Sequence, residues 1–389
     1  MIIIVKIFKF ILNVIYSIFK LFKTKNRITF ISRQSNSVNI DFLLLGEEIN
    51  KKMKGYDVVY LCKTLDTGFL NKVKYVFHMF KQMYYISTSK VVILDSYCIV
   101  ISNCKHKKSL TVIQMWHAMG AFKKFGLSVV NNGNKRIKHI DNNKLASVMN
   151  MHNNYDYIFA SSEYCVKYFS EAFGQDKSKF RIYPLPRLDL MVDKNNIKKV
   201  SDKIYSKYPK LKNKKKNILY CPTFRDGGYD YKYIKEFIDN FNYKKYNLIV
   251  KLHPLTKYKF DNSEAIFDNT FNTYEMVFVS DKVISDYSAV IYEVAVIGKP
   301  MMFYAYDKKE YVNDRDFYLK YDKDMPGKIC LTLNELYKEI DNDSYDMNKL
   351  YNFKEKYIKG FKKSYTSDII EFVEICVCEA KDEKIKEKY

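Results

Sequence analysis

Leu248-Ile249-Val250-Lys251-Leu252-His253-Pro254 and Lys282-Val283-Ile284-Ser285-Asp286-Tyr287-Ser288 are the stretches that decide how this chain folds. Each begins as a short apolar run of strand type and turns polar where the strand has to end. In an open parallel α/β sheet, ligands bind beyond the carboxyl ends of strands, so successive polar strand ends point to one cleft. A Lys and a His at one such end, facing hydroxyls at a helix start at the other, suit a phosphate-bearing ligand.

Working outward, residues 28–31, 58–61, 91–94, 110–115 and 157–160 read as buried strands, several of them separated by helical segments. Residues 218–221, 248–250, 283–284 and 301–304 repeat the rhythm. Two such series imply two α/β domains with parallel sheets. The expected boundaries are a helix over 1–26, a first domain over 27–192, a Lys-rich connection over 193–217 and a second domain over 218–389. The tail beyond Leu350 is charged and mostly helical, with an apolar stripe at Ile369, Ile370, Phe372, Val373 and Ile375.

The chain is 389 residues long, 47% apolar, and carries 66 Lys and Arg against 44 acids, a net charge of +22. It can build ordinary cores, and its basic surface favours anionic partners such as phospholipid or a polyphosphate. No aromatic-and-basic RNA motif accompanies that charge, so nucleic acid is not expected. Eight scattered cysteines without Cys-x-x-Cys spacing signal neither a zinc site nor a disulfide framework. No Walker loop, Rossmann glycine fingerprint or His-Glu-x-x-His run is present, and neither a cofactor nor a seated metal is expected.

Residues 1–22 are too interrupted by charge to span a bilayer and are followed by no small-residue cleavage site. On a helix, Lys6, Lys9, Asn13, Ser17, Lys20 and Lys23 fall three or four apart and form one polar stripe against a wide apolar arc. This pattern predicts a helix lying in a membrane interface with its lysines at anionic headgroups. A helix packed on its own domain is the alternative.

The remaining motifs also follow strands. Trp116-His117 ends one apolar run and glycines follow it, so His117 is a candidate general base. Thr223 and Arg225 follow residues 218–221, where Arg225 suits a bidentate grip on phosphate and Thr223 supplies a hydroxyl. Ser288 opens an apolar segment closed by Gly298 and Pro300, which predicts a capped, buried helix with its amino end free for a phosphate. Glu293 is the one carboxylate in that helix, suited either to ribose hydroxyls or to an ion pair.

Taken in order, these runs resemble the CDP-glycerol glycerophosphotransferase family, whose members build teichoic acids and related polymers in Gram-positive bacteria. The matching positions are Trp116-His117, Lys123-Lys124-Phe125-Gly126, Ser161-Ser162-Glu163, Phe173-Gly174, Pro186-Arg187 with Asp189, Pro222 to Arg225, Lys251 with His253-Pro254, Ser280-Asp281 through Ser288, Glu293, Lys299-Pro300, Phe303-Tyr304, Asp307 and Tyr311. The resemblance implies a GT-B architecture, two Rossmann-like domains facing a central cleft, to which the reading of residues 1–22 adds an N-terminal amphipathic helix. It implies His117 as catalytic base and His253 as stabiliser of the donor diphosphate. Thr223, Arg225, Lys251, Ser285, Asp286, Ser288 and Glu293 would lie along the donor, and Trp116, Lys123, Arg187 and Asp189 along the acceptor or cleft. It also implies a peripheral enzyme on the cytoplasmic face of the cell membrane. Ala118, Pro184, Leu188, Ala289 and Glu293 depart from the commoner family residues.

The expected reaction is transfer of glycerol phosphate from CDP-glycerol to a hydroxyl of a lipid-linked saccharide or polyol phosphate, with release of CMP and without a metal. CDP-ribitol as donor, a GT-B glycosyltransferase using CMP-sugars, and a basic membrane- or nucleic-acid-binding protein are the alternatives.

Overall fold

A computed structural model describes residues 2–130, 146–225, 231–253, 256, 258–309, 311 and 317–386. Pro254, which belongs to a run considered above, lies outside them. The chain divides into two compact units, one of Met1–Met119, Lys124–Arg187 and Lys359–Tyr389, the other of Gly120–Lys123 and Leu188–Ile358.

In the first unit, β1 (Arg27–Ser32), β2 (Asp57–Cys62), β3 (Val91–Leu94), β4 (Thr111–Gln114), β5 (Tyr157–Ala160) and β6 (Phe180–Ile182) form one sheet in the order β2-β1-β3-β4-β5-β6. Every pairing is parallel. All of β1 and β3 is buried, as strands covered on both faces must be. Each fully buried Val, Ile or Leu there is worth about 1.5–3 kcal/mol relative to exposure. Around the sheet lie α1 (Ile2–Phe19), α2 (Ile40–Lys52), α3 (Phe69–Thr88), α4 (Ile99–Asn103), α5 (Leu127–Val130) and α6 (Glu163–Phe173). Asn39 caps α2 by accepting from the Phe42 amide, and Gly174 ends α6 in the left-handed conformation.

The second unit holds α7 (Leu188–Val192), α8 (Lys194–Lys207), β7 (Lys216–Tyr220), α9 (Tyr231–Asp239), β8 (Tyr246–Val250), β9 (Ile266–Phe267), α10 (Thr273–Phe278), β10 (Lys282–Ser285), α11 (Val290–Ile297), β11 (Met301–Tyr304), α12 (Tyr321–Asp324), β12 (Ile329–Cys330), α13 (Leu333–Asp341) and α14 (Met347–Tyr357). Its six strands run β12-β11-β10-β7-β8-β9, again all parallel. The winding therefore reverses between β7 and β10. In a doubly wound sheet, the crevice beyond that pair is where ligands bind.

Two chain assignments are corrected. The last helix, α15 (Tyr365–Lys386), belongs to the first unit, not to the second domain. It packs on α2, β3 and β4, Phe372 meets the rings of Tyr157 and Phe159, and Lys52 donates to Ser367 at 2.6 Å. Residues 193–217 are not a free connection either: α8 packs on α7 and α10 as part of the second unit. The strands that sequence reading missed, β6, β9 and β12, have three residues or two and stand at sheet edges. So short a run shows no period.

The first helix forms as expected but is turned over. Lys9 donates to the Val148 carbonyl and Asn13 to that of Asn103, so this part of the polar stripe meets the protein, not headgroups. Leu12 and Tyr16 are buried beside them, while Ile3, Phe10, Ile18 and Leu21 face outward. A Lys or Asn on this side satisfies carbonyls that α4 and the segments near it leave open. Among the described residues no helix is long and apolar enough to cross a membrane.

Candidate active site

In the first unit the chemistry gathers beyond β1, β3 and β4. Trp116, two residues past β4, takes φ 64°, a left-handed conformation that an L side chain adopts at a cost of about 1–2 kcal/mol. Packing holds it there: its ring stacks on Phe125 at 4.9 Å and meets Phe173 edge-on, and its amide donates to the Gln114 side chain. Trp116 thus takes part in the unit's aromatic packing while staying half-buried.

The turn presents His117. Its Nδ1 lies 2.9 Å from the Asp95 carbonyl oxygen. A carbonyl only accepts, so Nδ1 carries the proton and Nε2 keeps the lone pair. Burial lowers the imidazole pKa below its ordinary value, against the Asp95 bond that raises it, with the Arg187 charge adding to the lowering. The ring is therefore neutral and basic at Nε2 near neutral pH.

Arg187 holds the same backbone. It donates to Asp41 from Nη1 at 2.6 Å and from its amide at 2.8 Å, and to the His117 carbonyl from Nη2 at 3.1 Å. Its guanidinium braces the His117 loop. Asp189, its partner in the sequence motif, falls in the second unit, in the first turn of α7. Asp41 and Asp95, which sequence reading passed over, are both buried. Burial pushes the Asp95 carboxyl up to about 6, although side-chain hydrogen bonds from Ser32 and Ser96 work the other way. Asp95 directly follows β3, so the strand-end rule would have found it; nothing local marks Asp41.

The second unit places its candidate residues on either side of the β7/β10 reversal. Thr223 donates to Asp286 through its amide, 3.0 Å from each carboxylate oxygen, and through its hydroxyl at 2.5 Å. Arg225 donates to Asp286 at 2.7 Å and grips Asp307 through Nε and Nη2 at 2.9 and 3.0 Å. Its side chain is 1% exposed and lies over the rings of Tyr287, Tyr306 and Tyr311. Burial opposes its charge, but Asp286 and the Asp307 hydrogen bonds outweigh that and raise its pKa.

The expectation that Arg225 and Asp286 contact the donor is therefore corrected. The two charges satisfy each other inside the fold and splice the two switch-point loops. Lys251 is engaged in the same way, donating to Asp268 at 2.8 Å and to the Phe271 carbonyl at 2.6 Å. Ser285 is buried and donates to the Cys221 carbonyl at 3.2 Å.

Other expected residues do line the loops. Ser288 is half-buried just ahead of α11 and accepts from the Val290 amide at 3.3 Å; the helix begins two residues later than expected. Glu293 is half-buried in its first turn. His253 is exposed, with its ring 5.6 Å from Phe224. Partial burial lowers its pKa, and the nearby charge of Lys123 adds to the effect, so the neutral ring is favoured. Lys123 is held by donating to the Tyr311 hydroxyl at 2.8 Å and by a bridge to Phe317. Sequence reading placed Lys123 along the acceptor or cleft; its partners Tyr311 and Phe317 belong to the second unit. Among the described residues, no group of three or more His, Cys, Asp or Glu is placed to hold a metal ion.

Two parallel, doubly wound sheets with polar loops at their strand ends define an α/β protein of the kind that handles phosphorylated ligands at such ends. The family model for CDP-Glycerol:Poly(glycerophosphate) glycerophosphotransferase matches residues 14–374, and the chain belongs to that family. It is 29% identical over 362 residues to the teichoic acid ribitol-phosphate primase of Bacillus spizizenii, covering 90% of each chain. It is 29% identical over 314 residues to the teichoic acid glycerol-phosphate primase of Bacillus subtilis, covering 79% of each. Among solved structures, the wall teichoic acid polymerase TagF superposes with a TM-score of 0.73 at 21% identity, over 96% of this chain and 94% of that one.

Proposed function

We propose that this enzyme transfers a polyol phosphate from its CDP-activated form to a hydroxyl of a lipid-linked acceptor in teichoic acid synthesis, at the cytoplasmic face of the membrane. Family membership supplies the reaction class. The observation in this chain that carries the mechanism is the Nδ1–H bond of His117 to Asp95, which leaves a neutral Nε2 as base.

The acceptor oxygen attacks the β-phosphorus of the donor and its proton passes to His117 Nε2. The bond between that phosphorus and the bridging oxygen breaks, and CMP departs with the electron pair. His253, Lys123, the Ser288 hydroxyl and the positive end of the α11 dipole stabilise the charge gathering on CMP. Glu293 accepts from the ribose hydroxyls. Arg225, Asp286 and Lys251 act by holding these loops.

Glycerol phosphate is the donor group expected from the motifs. Ribitol phosphate is the second reading, favoured by the longer match to the ribitol-phosphate primase. Incubation with CDP-glycerol or CDP-ribitol and a lipid-linked glycerol-phosphate acceptor separates them, through CMP release and product mass. Acceptor-dependent CMP with a gain of one or more polyol phosphates supports the reading and names the donor. No CMP from either donor refutes it.

A further inference from the structure

The first sheet reverses its winding between β1 and β3, since β2 lies on one side of β1 and β3 on the other. The crevice beyond that pair is the ligand position of a doubly wound sheet. The proposed reaction engages only the β4 side of this rim, through His117. Arg33, the first residue past β1, stands at the reversal itself. Its amide donates to Ser96 Oγ at 2.9 Å and its Nη1 to the Tyr97 carbonyl at 3.2 Å, with the guanidinium 5.6 Å from the Tyr97 ring.

The other edge of that guanidinium is open. Nε is buried without a partner, and among the described residues nothing accepts from Nη2. These are the groups through which Arg225 grips Asp307. Arg27, Arg187 and Arg225 each face a carboxylate within 3.3 Å. Among the described residues Arg33 faces none; Asp95, on the loop after β3, takes the Asn39 amide at 2.8 Å instead. A buried donor without an acceptor is costly, and an Nε–Nη2 edge matches two oxygens of a phosphate.

The surroundings suit an anion. Lys63, the first residue past β2, is half-buried and pairs with no carboxylate among the described residues. On α3, which packs on β1, the Tyr75 and His78 rings meet at 5.8 Å. The Tyr75 hydroxyl and His78 Nε2 are both buried without completing a hydrogen bond. Burial raises the Tyr75 pKa while the Arg33 charge opposes it; burial and the charges of Lys63 and Lys81 lower that of His78 to about 4. Arg33 therefore lies near one ring and Lys63 near the other. The Thr64 amide and hydroxyl donate to Asn36 at 3.1 and 3.2 Å, which ties the loops after β1 and β2 together.

We propose that Arg33, with Lys63, Tyr75 and His78 around it, binds a phosphate of the acceptor, the one a polyol unit away from the attacking hydroxyl. The inference rests on the proposed reaction and deepens it. Ser96, which holds the Arg33 amide, follows Asp95, whose carbonyl holds His117. Only β3 separates β1 from β4, so the strand ends carrying Arg33 and the His117 loop stand about 10 Å apart, the scale of one polyol phosphate. The site thus selects acceptors that already carry a polyol phosphate over uncharged ones.

Arg33→Gln is compared with wild type on a glycerol-phosphate acceptor analogue and on an analogue with the same terminal polyol but no phosphate. The KM for the phosphorylated acceptor should rise by about tenfold to a hundredfold, the worth of a charged hydrogen bond, with kcat and donor affinity unchanged. On the uncharged analogue the two enzymes should be alike. An unchanged KM overturns the proposal, and so does an equal rise on both analogues, the mark of a merely structural residue. Where Arg33→Gln lowers Tm, Lys63→Gln carries the same test, and an unchanged KM there is equally fatal. Calorimetry with glycerol phosphate needs no turnover. Binding that Arg33→Gln weakens supports the site even where neither CDP-polyol releases CMP, a result that refutes the reaction alone. No binding to wild type overturns the site, and inorganic phosphate bound as tightly as glycerol phosphate, with acceptor KM unmoved, overturns its acceptor role.

Discussion

Asp307→Asn separates a structural Arg225 from a phosphate-binding one, because the two roles predict opposite outcomes. Asp307 accepts Arg225 Nε and Nη2 at 2.9 and 3.0 Å and the Tyr287 hydroxyl at 3.2 Å. Asparagine keeps the shape, removes the charge, and turns an amide donor towards a guanidinium that can only donate. Breaking a buried ion pair by removing one partner costs about 3–5 kcal/mol. Here Asp286 remains 2.7 Å from Nη1, so Arg225 is not left without a counter-charge and the low end, about 3 kcal/mol, applies. For a unit of this size that lowers Tm by about 6–12 °C. Thermal unfolding followed by circular dichroism, with CDP-polyol affinity measured by calorimetry below the transition, provides the assay. A lowered Tm with donor affinity falling alongside is expected. Unchanged Tm with tighter donor binding would mean that Asp307 merely competes with a phosphate for Arg225, and would refute the structural reading.

His117→Gln should lower turnover by about 10²–10⁴-fold while donor affinity stays near wild type, as single-turnover CMP release and calorimetry would show. The pH profile follows from the lowered His117 pKa: the base is neutral above it, so activity should be flat through neutrality and fall only as pH drops below the ordinary histidine value. A rate still rising above that value would contradict the assignment. His106 titrates near 4 because burial disfavours its charge, so the folded state resists protonation and stability should fall as pH drops from about 6.5 towards 4, by up to about 3 kcal/mol. Acid unfolding of wild type against His106→Asn checks this. Gly126→Ala should destabilise the first unit by upwards of about 2 kcal/mol, read as a lowered Tm. Its φ is 57°, and a Cβ there would stand 2.3 Å from the Ala172 carbonyl oxygen.

Much of both sheets was legible because the strands are buried along their length. Runs such as Val91–Leu94 and Met301–Tyr304 are continuous apolar segments, and solvent contact never breaks the pattern. The strand-end rule then located Thr223, His253, Asp286 and His117 from their neighbours in sequence alone. Their roles were less legible. Arg225 and Lys251 look like free cations in the sequence, yet Asp307 and Asp268, distant or at least separate in the chain, occupy them. A charge buried without a partner is costly, so the fold supplies one wherever it removes a cation from water. That pairing depends on which loops meet, and no local window contains it.

The first helix shows the same division. Its period, and therefore its existence and its two faces, were determined by the sequence, since helical geometry places residues three and four apart on one side. Which face turns inward was decided only by the fold, because the open carbonyls of Val148 and Asn103 are acceptors that Lys9 and Asn13 satisfy and an apolar face cannot.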